Sequence, residues 1–194
     1  KPIGREQAGA FGILKVNRQG RIVHFEEKPT PDRLPELESD IPGQGRGFLA
    51  SMGIYMFSRD ALDKAIADPG LVDFGRHAIP KAIGEMRVQA HFYRGYWEDV
   101  GTIGSYFDAN LKLCDPMPPF DFYDAVRPVY THPRFLPATK IEGCQLRQAL
   151  VSEGCILMGA EIERSVVGIR SRIGQGTRVR DSLVLGADYY ESLE

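Results

Sequence analysis

Two adjacent carboxylates and a lysine, Glu26, Glu27 and Lys28, close an apolar run at "HFEEKP" (24–29). A lysine at a strand end is a mobile point charge of the kind that meets a phosphate. A carboxylate beside it offers acceptors to vicinal hydroxyls. The plain alternative is a solvated turn, which is what most short charge runs are. A second candidate lies in "YTHPRFLP" (130–137), where Arg134 stands between two prolines and His132 precedes it. A guanidinium held that stiffly is a fork suited to phosphate or sulfate, or to a carboxylate across a domain boundary. The cysteines, Cys114, Cys144 and Cys155, have no metal-ligand spacing. Their odd number fits reduced, buried thiols.

The elements that must position these residues can be read from pattern. "FGILKVNRQGRIVHF" (11–25) predicts two strands around a turn at Asn17–Gly20. Val23 and Phe25 alternate with His24, which predicts one buried face, and Pro29 ends the strand. Four prolines and three glycines between Lys28 and Gly47 predict a long surface loop. "FLASMGIYMF" (48–57) reads as a strand buried on both faces, as in a parallel or mixed sheet covered by helices, with Ser51 as its polar exception. Ser58 is the expected N-cap of a helix with the stripe Leu62, Ala65 and Ile66, stopped at Pro69-Gly70. Asp73 is expected to cap another helix, which Pro80 interrupts or restarts. A strand is expected over 88–93. A helix is expected from Thr102 to Cys114, facing inward through Ile103, Phe107, Asn110, Leu111 and Cys114. Strand and helix alternate, so residues 1–115 read as a layered α/β domain.

The texture changes after Asp115. Prolines at 116, 118, 119, 128, 133 and 137 make 116–139 a stiff linker. From Lys140 to Glu194 aliphatic residues recur at six-residue intervals, Leu150, Ile156 and Ile162, then Val167, Ile173, Val179 and Leu185, with a slip of one between Ile162 and Val167. Glycines at 154, 159, 168, 174, 176 and 186 supply corners. A six-residue period is the mark of a parallel β-helix. An antiparallel sheet would also space apolar residues by six, but would make the intervening even positions apolar too, and most are not. The composition is that of an ordinary globular chain, 43% hydrophobic with net charge −2, which argues against nucleic acid as a partner. No apolar run approaches the roughly 20 residues that cross a bilayer, and "KPIGREQAGA" has no signal-peptide stretch.

"FGILKV", "EEKP", "ASMGIYMF", "DFGRHAIP", "YWEDVGT", "PPFDFYDA", "PRFLP", "SVVGIRSRIGQG" and "LVLGADYYES" occur in an order that resembles ADP-glucose pyrophosphorylase, the glucose-1-phosphate adenylyltransferase family. "PPFDFYDA" looks more like its cyanobacterial and plant branch. The resemblance covers nearly the whole chain. It implies the C-terminal part of a Rossmann-like nucleotidylyltransferase domain, a mixed sheet with helices, followed by a left-handed parallel β-helix of hexapeptide repeats. It implies that Lys28 contacts the phosphate of glucose 1-phosphate and that Glu27 holds sugar hydroxyls. On an ideal strand those two point to opposite faces, so a break at Pro29 is expected to turn one of them. Ser51 matches a sugar-contacting serine, or is a small core residue bonded to backbone. Asp99 matches a magnesium-ligating Asp, or caps the helix near Thr102. Tyr96 and Trp97 either pack or touch substrate, and Glu98 is expected to be solvated. Arg134 matches a residue of an allosteric anion site in the family, and His132 stands where the family has Gln.

The same resemblance implies ATP and glucose 1-phosphate as substrates, Mg²⁺ as cofactor, no covalent nucleophile, a homo- or heterotetramer, phosphorylated metabolite effectors, and a bacterial cytoplasm or plastid stroma. The family's Gly-rich nucleotide turn and upstream metal Asp have no match, so an internal piece of a larger enzyme is expected. Rival readings are a UTP- or GTP-using nucleotidylyltransferase and a non-catalytic regulatory or assembly subunit. A hexapeptide acyltransferase is disfavoured because His24, His77, His91 and His132 all precede the repeats. The expected outcome is that the 194-residue chain alone makes no ADP-glucose from ATP, glucose 1-phosphate and Mg²⁺. Turnover above background in a product assay would overturn that reading.

Overall fold

The computed structural model describes residues 1–67, 70 and 73–190. Two compact units divide at Gly95/Tyr96. The first is built on an antiparallel sheet of β1 (Pro2–Ile3), β2 (Gly12–Val16), β3 (Ile22–Glu27), β4 (Ser39–Ile41) and β5 (Gly45–Ala50). The order is β1-β5-β2-β3, with β4 also on β5. The β2–β3 hairpin turns where expected. Gly20 has φ +74°, and the Asn17 side chain accepts from the Gln19 and Arg21 amides at 3.1 and 3.0 Å. An Asn–Gly pair suits such a turn because both tolerate left-handed backbone. Two clusters form the core: Ala8, Ile13, Leu34, Leu37 and Phe48, and Val16, Ile22, Ile41 and Leu49. Helices α1 (Leu34–Leu37), α2 (Arg59–Ile66) and α3 (Ile79–Glu85) complete the unit. Ser58 caps α2, accepting from Ala61 N, and Asp73 caps the wide turn Phe74–Ala78 that leads into α3, with Pro80 in its first turn. The expected stop at Pro69 lies outside the described residues.

Several expectations are corrected. Val23 is exposed because the hairpin register slips: Lys15 faces His24 but Val16 faces Ile22, so Val23 bulges and Ile22 takes the core position. Residues 28–47 are not a surface loop. They fold into α1 and the β4–β5 pairing, and Leu34, Leu37 and Ile41 are core. The strand expected over 48–57 ends at Ala50, whose neighbour β2 begins at Gly12; Met56 is 99% exposed. Residues 88–93 make one bridge, Arg21 to Gln89, and pack Val88 and Phe92 against the second cluster. On α2 only Ala65 of the stripe is buried.

In the second unit, helix α4 (Ile103–Lys112) packs on a stack of parallel strands. These are β6 (Lys140–Glu142), β7 (Gln145–Val151), β8 (Ile156–Met158), β9 (Glu161–Val167), β10 (Arg172–Ile173), β11 (Arg178–Arg180) and β12 (Leu183–Val184). Ile141, Leu157 and Ile173 stack in register; so do Leu146, Ile162 and Val179, and Val151, Val167 and Val184. This is a parallel β-helix of three strips. Its corners are three columns of left-handed residues: Gly143, Gly159 and Gly176; Gln148, Arg164 and Asp181; Gly154, Arg170 and Gly186. The middle column has no glycine, and Arg164 is ion-paired to Asp181 within it. Gly168 serves space instead, since a Cβ there would lie 2.4 Å from the Leu185 carbonyl oxygen.

The inward residues are Leu157, Ile162, Val167 and Ile173, all buried, so the five-residue step expected between Ile162 and Val167 is present and a second one lies between Leu157 and Ile162. Ile156, expected inside, is half-buried and Leu157 takes its place. Leu150 stacks on Val166, pointing away from the column of Val151 and Val167. It is aliphatic because α4 covers that face: Cys114 lies beside the Leu150 backbone, and Leu111 and Cys114 are buried there. Burial pushes the Cys114 thiol pKa up. The other end of the expected α4 face fails, with Ile103 91% exposed. No helix among the described residues is long and apolar enough to cross a membrane.

The register makes a testable distinction. Leu157→Ala should destabilise the second unit by about 2–5 kcal/mol through the cavity it leaves. Ile156→Ala should cost under half of that. Denaturant melts of the two variants check it, and equal losses would overturn the inward placement of Leu157 over Ile156.

Candidate active site

Strand β2 gathers the predicted sugar-phosphate residues. Gly12, its first residue, is paired with Glu27 on one side, and its carbonyl accepts from Ser51 N at 2.8 Å on the other. Lys28 N donates to the Phe11 carbonyl at 3.1 Å. Glu27, Lys28 and Ser51 therefore share one end of the sheet. The break that turns Lys28 from Glu27 lies at Lys28 itself, whose φ is +48°, rather than at Pro29. Residues before proline prefer extended backbone, and a left-handed L-residue costs roughly 1–2 kcal/mol. Such strain persists only where the surroundings over-determine it, and it clusters at functional sites.

The two glutamates of the motif are dissimilar. Glu26 is held by Arg33, with Nη2 at 3.1 Å and Nε at 3.3 Å, and His24 Nε2 lies 3.6 Å away. Among the described residues, neither the Glu27 carboxylate nor the exposed Lys28 ammonium has a side-chain partner. Glu27 lies over glycines: a Cβ on Gly12 would be 2.6 Å from its Oε2, and one on Gly75 would be 3.4 Å away. The two glycines leave the space that this carboxylate fills.

Residues missed in the sequence join this end. Ser51 Oγ is 3.2 Å from the Tyr55 hydroxyl and accepts from Gly53 N at 3.3 Å, so the backbone-bonded reading of Ser51 holds in part. Tyr55 stacks on Phe74 with centroids 6.2 Å apart, and Phe57 meets Phe74 edge-on at 6.0 Å. Asp73 Oδ1 borders Gly75 at 3.5 Å, on the same Cβ position as Glu27. Two carboxylates, two hydroxyls and an aromatic face suit a polyhydroxylated ring. The signal for Tyr55 was Gly53, at φ +69°, inside an apparent strand.

Asp99, His132 and Arg134 belong to the second unit. Thr102, not Asp99, caps α4: it accepts from Ser105 N and Ser105 Oγ accepts from Thr102 N, both at 3.1 Å. The exposed Asp99 carboxylate has no partner among the described residues, with both oxygens 3.3 Å from a Cβ position on Gly101. Glu98 is not simply solvated. It accepts from Lys112 Nζ at 3.0 Å, which raises the Lys112 pKa, while burial and then Glu98 raise that of the Tyr96 phenol. Arg134 Nη1 lies 3.8 Å from Asp188, a loose pair, and His132 is exposed. No group of three His, Cys, Asp or Glu residues among the described residues could hold a metal by itself. A single free carboxylate suits magnesium, which binds through one or two carboxylates plus substrate phosphates.

The family model for nucleotidyl transferase matches residues 2–116. The chain belongs to the nucleotidyl transferase family. A second model, the GLGC left-handed parallel beta-helix domain, matches residues 134–194 and gives the coil its hand. Together they form the architecture of ADP-glucose pyrophosphorylase. In this nucleotidyltransferase the strained lysine makes a direct test. Lys28→Gly should be more stable than Lys28→Ala by about 1 kcal/mol, because only glycine takes φ +48° without penalty. Denaturant melts decide it; equal stabilities would mean the turn is not left-handed in solution.

Proposed function

We propose that this chain is part of a glucose-1-phosphate adenylyltransferase, which joins ATP and glucose 1-phosphate into ADP-glucose and diphosphate for glycogen or starch synthesis. The observation that carries the reading is the unpartnered Glu27–Lys28 pair, turned apart by the left-handed lysine, in a nucleotidyltransferase with a GLGC-type β-helix. That β-helix type supports ATP over UTP or GTP as the nucleotide. The free carboxylate of Asp99 and the free ammonium of Lys28 support a catalytic subunit over a purely structural one.

The chemistry asks for positioning and charge neutralisation. A phosphate oxygen of glucose 1-phosphate attacks the α-phosphorus of ATP in line. The new P–O bond forms as the α–β bridge breaks, and diphosphate leaves. No side chain becomes covalently attached. Lys28 holds the sugar phosphate, while Glu27 and Ser51 accept from and orient the hydroxyls. Asp99 is the residue that would ligate Mg²⁺, which when bound offsets phosphate charge. Tetrameric assembly and phosphorylated effectors come to this chain from the same resemblance. Arg134, loosely held by Asp188, and exposed His132 are the residues open to an effector anion.

In the full-length enzyme, Lys28→Ala should raise the KM for glucose 1-phosphate by about 10- to 150-fold, the loss of one charge-assisted contact at roughly 1.5–3 kcal/mol. Asp99→Asn should instead lower kcat and weaken the response to magnesium. Steady-state kinetics with each substrate varied would check both. A change confined to the KM for ATP in Lys28→Ala would show the lysine misassigned.

A further inference from the structure

Lys28 is a strained residue on a short segment, and a strained turn needs something to close it. Arg33 closes it. Its guanidinium reaches back to β3, with Nη2 3.1 Å from Glu26 Oε2 and Nε 3.3 and 3.4 Å from the two carboxylate oxygens. Its Nη1 donates to Glu36 Oε2 at 2.5 Å, tying the same fork to α1. Its backbone amide donates to the Thr30 carbonyl at 3.0 Å. The chain between Glu26 and Arg33 is thus a loop pinned at both ends, with Lys28 left-handed inside it and Pro29 buried. Glu26 is fixed in turn by β-sheet pairing with Ile13.

We infer that Arg33 is a positioning residue for the sugar-phosphate contact: its fork on Glu26 and Glu36 holds the 28–33 turn in the conformation that aims Lys28. The inference rests on the assignment of Lys28 to the phosphate. A planar, bidentate fork is needed because it restrains orientation as well as distance, which an ammonium does not. The adjacent glutamates then have separate tasks, Glu26 anchoring the turn and Glu27 facing the ligand. Without the fork, Lys28 relaxes toward the extended backbone that a following proline favours, and its ammonium leaves the phosphate position in part of the molecules. That loss appears as weaker binding of glucose 1-phosphate, not of ATP.

The test is kinetic, on the full-length enzyme, with Arg33→Ala, Arg33→Lys, Lys28→Ala and the double variant Arg33→Ala/Lys28→Ala. Thermal melts confirm folding of each. Arg33→Ala is expected to raise the KM for glucose 1-phosphate about two- to fivefold, the upper part of the range for a part-exposed ion pair, with the KM for ATP unchanged. Arg33→Lys, which keeps charge but loses the fork, should recover less than half of the loss on a logarithmic scale. In the Lys28→Ala background the Arg33 change should add nothing, because its effect passes through Lys28. An additive loss in the double variant, or full recovery by lysine, overturns the inference. So does an unmoved KM in Arg33→Ala while Lys28→Ala acts, and in that case the assignment of Lys28 survives. If Lys28→Ala itself leaves the KM unmoved, both fall.

Discussion

The pairing of Gly12 on both sides is the constraint from which the first unit's site follows. A central strand that begins at Gly12 sets where its neighbours stop being strands. β3 runs two residues past Phe25, its last core position, and the chain turns at Lys28, while the last amide on the other side of β2 is that of Ser51, just past β5. Because Gly12 has no side chain, Phe25 and Glu27 can both lean over it; a Cβ would sit 2.5 Å from the Phe25 ring and 2.6 Å from Glu27. The polar groups at this end are held by backbone geometry, with fully buried Ile13 next in the strand anchoring them to the core. A site built where a sheet's ladder ends has free side chains by construction, since the strands no longer face one another there.

Left-handed residues do the same work in both units. In the first, Lys28 turns one side chain out of register. In the second, nine of them bend the chain into three strips per coil, and their spacing of 16 or 17 residues is the coil length. At three of the four corners that carry a side chain, the side chain is bonded to the neighbouring coil. Arg164 is bonded to Asp181 of the next coil, and Arg170 donates to the Ala187 carbonyl at 3.2 Å. The outer strip adds Arg147–Glu163, Glu163–Arg180 and Glu161–Arg178 pairs, which are exposed and individually worth little. The stability of the stack comes mainly from its aliphatic columns.

How much was legible depended on range. The hairpin at Asn17–Gly20, the caps Ser58 and Asp73, and the β-helix were readable because turn chemistry and periodicity are local. Glu27, Lys28 and Ser51 were singled out from short motifs and lie together at one end of the sheet, but Ser51 alone gave no hint of its Tyr55 contact. What failed needed a partner strand to be known. Val23 looks inward until a bulge opposite Val16 is placed, and 48–57 looks like one strand until β2 is seen to start at Gly12. Ile156 and Leu157 are adjacent aliphatics, and only stacking on Ile141 and Ile173 picks the inward one. Proline content hid α1 and β4, because prolines at a helix start or a turn are compatible with order.

The charge arrangement explains why so few groups suffice. The chain is net −2, while the family's nucleotide and sugar-phosphate substrates are polyanions. A cation serves an anionic ligand best where its neighbours do not neutralise it. Many of the chain's arginines fail that condition: Arg33, Arg46, Arg127, Arg164 and Arg180 each hold a carboxylate at 3.1 Å or less. Lys28 meets it, because the fork that quenches Glu26 is spent on the far side of the strand and the left-handed turn carries the ammonium away from Glu27. An exposed lysine gives up little by standing unpaired, since a surface ion pair is worth at most about 1 kcal/mol. Its isolation here is a product of the backbone, and the backbone is strained to provide it.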